Sequence, residues 1–96
     1  MRRTRVAAAA APAPRPELRK KVREALATLP DGRRATDKML LDMVNALIPL
    51  PCTMEQMKAA RAWNHDRGYV GYLENEELDR KEWFITSQGR VAELQA

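Results

Sequence analysis

Ninety-six residues, 45% of them apolar but only 5% aromatic, allow one domain with an interior of Leu, Met, Val and Ala. No run approaches the roughly 20 apolar residues of a membrane span. The single cysteine, Cys52, excludes an internal disulfide and, with one histidine, supplies no metal site. The net charge of +4 is concentrated in residues 1–16, which hold Arg2, Arg3, Arg5 and Arg15 and no acid. The rest of the chain balances 13 basic against 13 acidic groups. Within it, residues 17–35 carry six basic and three acidic groups, and residues 69–96 carry three basic and six acidic. The folded part is therefore a charge dipole. Its basic end suits a polyanion and equally suits a plain solvated face.

Residues 1–15, rich in Arg, Ala and Pro, imitate a signal peptide, but the apolar part is short and broken by Pro12 and Pro14. They are expected to be a disordered basic tail on a cytoplasmic protein, with residues 16–96 forming the domain. A first helix is expected from Pro16, at home in a first turn, with Leu18, Val22, Ala25, Leu26 and Leu29 as its apolar stripe. Pro30-Asp31-Gly32 is a turn, and Arg33 to Ala35 suit a short strand. Thr36 or Asp37 caps a second helix that runs to about Leu47, with Leu40, Leu41, Val44, Leu47 and Ile48 buried and Met39 and Met43 widening that face. Pro49 and Pro51 end it.

Thr53 and Gln56 have the spacing of a capping box, and Gly68 sits where a helix end wants positive φ. Tyr69, Val70, Tyr72 and Leu73 favour one strand, and Trp83, Phe84 and Ile85 another. Between them Glu74 to Lys81 is an acidic loop. Thr86 or Ser87 opens a last helix, with Val91 and Leu94 expected on its inner side. The result is an α+β chain, mainly α with a small ribbon, in the order α-(β)-α-α-β-β-α.

This order, with Arg67-Gly68-Tyr69-Val70 leaving the third helix and Trp83-Phe84-Ile85-Thr86-Ser87-Gln88-Gly89-Arg90 closing the ribbon, resembles the winged helix-turn-helix family. It is similar to small bacterial or phage DNA-binding proteins of the MarR and PadR type. The resemblance implies a transcriptional regulator or accessory factor that places the helix from Thr53 to Arg67 in the major groove of duplex DNA. On that reading Gln56 and Asn64 suit adenine edges and Arg61 guanine. Lys58 and Arg67 suit phosphate, with His65, Arg80 and Lys81 alongside them and Arg2, Arg3 and Arg5 of the tail on the backbone. Asn64 and Arg61 stand where such regulators often have apolar residues. Because an unpaired buried polar group costs about 1–3 kcal/mol, the expectation is a helix rotated so that Trp63 packs inward.

No phosphate-cradling glycine loop, metal cluster or nucleophile motif marks an enzyme, and no cofactor is implied. Cys52 reads either as an incidental thiol or as a redox sensor activated by the helix N-terminus. Trp63 reads as core or as a partner anchor, and His65 as a surface residue. A second function, a protein-interaction module, uses the acidic wing and the third helix. A homodimer through the first or last helix is also compatible with the sequence.

Overall fold

Pro16 opens the first helix of a computed structural model that describes residues 15–95. The expected tail, with Arg2, Arg3 and Arg5, lies outside the described residues. In α1 (Pro16–Ala27) the fixed φ of proline starts the helix, and Leu18, Val22, Ala25 and Leu26 recur at helical spacing and are buried. Leu29 packs against the same core beyond the helix end. Gly32 takes φ 84° in the turn. The expected short strand contracts to one residue, Ala35, whose N–H and C=O bond Trp83 at 2.9 and 2.7 Å.

Thr36 caps α2 (Asp37–Asn45), its side chain accepting from the Met39 N–H. Leu40 and Val44 fill the core, while Met39, expected on the buried face, is 45% exposed. The helix stops before the expected Leu47. Asn45 accepts from the Cys52 N–H at 2.8 Å and donates to its carbonyl at 3.3 Å, closing the proline-containing loop onto the helix end. The capping box expected at Thr53 is complete and starts α3 (Met54–Asp66). Gly68, at φ 76°, ends it.

Strands β1 (Val70–Asn75) and β2 (Arg80–Ile85) pair antiparallel from Val70↔Ile85 to Asn75↔Arg80. The ribbon is longer than expected, because Glu74 pairs with Lys81 and Asn75 with Arg80, leaving a tip of four residues. Asn75 shapes that tip by accepting from the Leu78 N–H at 3.1 Å, and Asp79 takes φ 50°. Strand alternation puts Val70, Tyr72, Glu74, Lys81, Trp83 and Ile85 on one face, and Gly71, Leu73, Asn75, Arg80, Glu82 and Phe84 on the other.

α4 (Ser87–Leu94) corrects one expectation. Val91 and Leu94 are 53% and 87% exposed, and Gly89 faces inward. The cause is a clamp at the helix start. The Thr86 hydroxyl donates to the Gly68 carbonyl at 2.6 Å, its N–H donates to the Tyr69 carbonyl at 3.0 Å, and its oxygen accepts from the Gly89 N–H at 3.0 Å. This draws Gly89 so close to the Tyr69 carbonyl that a Cβ there would sit 2.1 Å from the oxygen. Helix rotation is thereby fixed, with Val91 and Leu94 turned to solvent.

The whole is a small α+β domain with four helices and a two-stranded antiparallel sheet among the described residues. α1 is its hub, packing on α2, α3, α4 and β2. None of the described helices is long and apolar enough to cross a membrane. Gly89→Ala is expected to lower stability by about 2–4 kcal/mol in urea unfolding, because backbone, not a flexible side chain, must give way. An unchanged urea midpoint would show that α4 can shift freely.

Candidate nucleic-acid interface

The rotation of α3 decides which of its side chains can meet a ligand, and Asn64 sets that rotation. It is fully buried: its Oδ1 accepts from Arg23 Nη1 at 3.0 Å, and its Nδ2 donates to the carbonyls of Arg19 at 3.0 Å and Ala60 at 2.9 Å. Arg23, itself buried, also lies 3.6 Å from Glu93 of α4 and has its guanidinium 5.4 Å from the Tyr69 ring centre. One polar line thus joins α3, α1 and α4. The helix is not rotated to bring Trp63 inward. Asn64 takes the inward position with partners for its amide, and Trp63 lies half-buried on the α1 flank. There its ring is contacted by the guanidinium groups of Arg67 at 3.7 Å and Arg19 at 4.5 Å.

Three residues expected to read bases are accordingly committed to structure. Asn64 is inside. Gln56 Oε1 accepts from the Thr53 N–H in the capping box at 2.9 Å. Arg61 is largely buried, paired with Asp37 of α2 and laid over the Trp83 ring at 4.0 Å. Burial draws the Arg61 pKa below its ordinary value while Asp37 acts the other way; an arginine remains protonated at any physiological pH. Arg67 donates to the Trp63 carbonyl at 3.3 Å on the flank away from the ribbon.

On the ribbon side the expected residues converge. Lys58 approaches Asp37 at 4.0 Å beside Arg61. His65, exposed, lies 5.6 Å from the Tyr72 ring and 5.9 Å from Trp83, edge-on to the latter. Tyr72 and Trp83 are 4.9 Å apart, and Lys81 Nζ sits 4.6 Å above Tyr72. Lys38 and Lys81 both border an open cleft between the α2 N-terminus and the ribbon. Arg80, paired with Glu82 at 3.2 Å, starts on the opposite ribbon face by strand alternation yet lines the same cleft, as do the carboxylates of Glu74 and Asp79. Desolvation would raise the Glu82 carboxyl, but hydrogen bonds from Arg80, Asn75 and Arg34 outweigh it and hold the pKa below the ordinary value. The contributors sequence reasoning missed are Asp37, Tyr72 and Lys38. The sequence marks Asp37 only as a possible cap and Tyr72 only as a strand former, and no sequence signal places Asp37, the first residue of α2, opposite Arg61.

Cys52 is buried, and that burial raises its pKa, with the charge of Arg15 and a backbone hydrogen bond opposing. A thiol kept protonated is not the activated redox sensor entertained from the sequence. No group of His, Cys, Asp and Glu among the described residues could hold a metal.

Asn64→Ala should destabilise the domain by about 1–3 kcal/mol in thermal or urea unfolding, since it strands the Arg23 guanidinium. Lys58→Ala, an exposed change, should leave the midpoint nearly unmoved. An aromatic disulfide reagent should label Cys52 slowly in the folded chain and rapidly in denaturant; fast labelling of the folded chain would contradict its burial. Set beside family models, curated proteins and solved structures, the chain matches none of them.

Proposed function

We propose that this chain is a winged-helix DNA-binding protein, without catalysis or cofactor, acting in the cytoplasm as a small bacterial or phage regulator. It grips duplex DNA through the ribbon-side flank of α3. The observation that carries this is the convergence of Lys58 and His65 from α3, Lys81 from β2 and Lys38 from α2 around the Arg61–Asp37 pair. Lysines on an open face neutralise phosphates, with Lys38 exchanging its exposed Asp42 partner for one, and the exposed His65 ring beside Tyr72 adds a flat surface. The element order, with a bridging residue before the second helix and a ribbon after the third, supports the same reading. With Asn64 and Gln56 occupied internally, phosphate contacts dominate and sequence preference is weak.

A second reading, a protein-interaction module, has one observation in its favour. The crest of α3 presents Glu55 and Asp66 on either side of Ala62, and the two carboxylates oppose DNA in the major groove. Fluorescence anisotropy with random duplex DNA at low and moderate salt separates the two. The expected result is salt-sensitive binding that survives Arg2, Arg3 and Arg5→Ala. Lys58→Ala and Lys81→Ala should each weaken it and reduce the salt slope by about one. Binding lost with the three tail arginines, or unaffected by both lysine changes, would overturn the proposed face and favour a protein partner.

A further inference from the structure

The ribbon face turned away from α3 carries its own pattern. Its inner end, with the close of α1 and the following turn, encloses a cleft of about 360 Å³. Its lining includes Leu26, Leu29, Leu73 and Phe84, with Arg33, Arg34 and Arg90 outnumbering Asp31, and Arg34 is paired to Glu82 at 3.4 Å. Gly71 lets the Phe84 ring lie flat on the strand, since a Cβ there would stand 2.9 Å from the ring. Further along the ribbon a second hollow is lined by Arg34, Leu73, Glu76, Glu77 and Glu82, together with Glu74, which belongs by alternation to the other face. Leu73 borders both hollows and is 51% exposed; Leu78 at the ribbon tip is 56% exposed. One continuous surface therefore runs from a basic end, across an exposed leucine, to an acidic end.

A two-fold axis near Leu73 would lay the basic end of one copy against the acidic end of another, the arrangement a closed symmetric dimer requires. The charges suit it. Arg33, Glu76 and Glu77 have no side-chain partner among the described residues, and Arg90 reaches only the fully exposed Asp31 at 3.8 Å. We propose that the outer face of the ribbon is a homodimer interface. Leu73 and Phe84 of two copies meet at its centre, and Arg33 and Arg90 of each copy face Glu76 and Glu77 of the other. The α3 face stays free in such a dimer. This differs from pairing through the first or last helix, because its centre, Leu73 and Phe84, lies on the strands, and the last helix contributes only Arg90 at its margin.

Sedimentation velocity of the full chain over rising concentration tests it, with circular dichroism on each variant to confirm folding. The expected result is a monomer–dimer equilibrium that salt weakens, that ends at the dimer, and that Leu73→Asp abolishes. The pair Arg33→Glu/Arg90→Glu, and separately Glu76→Lys/Glu77→Lys, should each raise the dimer Kd by about tenfold or more. An equimolar mixture of the two charge variants should dimerise again. A chain that stays monomeric at high micromolar concentration, grows into open polymers, or dimerises with the charge variants unaffected would overturn the proposal.

Discussion

Asn64 is the constraint from which the rest of the molecule follows. A fully buried amide on a helix face is tolerable only with its donors and acceptor engaged, and here Arg23, the Arg19 carbonyl and the Ala60 carbonyl engage them. The helix cannot turn about its axis without breaking the bonds to Arg23 and to the Arg19 carbonyl on α1. Everything displayed by α3 is thereby assigned: Lys58, Arg61 and His65 to the ribbon flank, Glu55, Ala62 and Asp66 to the crest, Trp63 and Arg67 to the α1 flank. Arg23 carries the same constraint to Glu93, so the last helix joins the network.

The Thr86 clamp does for the ribbon what Asn64 does for the helix. It ties the exit of α3 at Gly68 and Tyr69 to the start of α4 through three hydrogen bonds, and it fixes where the two strands leave the core. The ribbon then has two faces of opposite character. The inner one is aromatic with Lys81 above it, and the outer one is a leucine between clusters of unlike charge. The neutral charge total of the domain hides this division, because cations and acids are sorted by face and by position along the ribbon.

Local signals made the fold readable. The α1 stripe, the capping box at Thr53 and the positive φ at Gly68 are each set by residues within a few positions of one another and appear as expected, and the two strands appear where expected but run further into the acidic loop. Long-range contacts explain the rest. Asn64 and Arg61 sit on or beside the apolar stripe, and their partners Arg23 and Asp37 are 41 and 24 positions away. The penalty for an unpaired amide suggested rotation; the pairing removes the penalty. The exposed Val91 and Leu94 follow similarly from the approach of Gly89 to Tyr69, which no periodicity in α4 reveals.

The ribbon-side flank of α3 as the DNA-contacting face is tested most directly by backbone amide shifts on adding duplex DNA to the isotopically labelled full chain. Shifts concentrated at Lys38, Lys58, His65, Tyr72 and Lys81, with little change at Glu55, Asp66 and the ribbon tip, are the predicted result. Changes confined to the first residues, centred on the outer face of the ribbon, or absent throughout would contradict it.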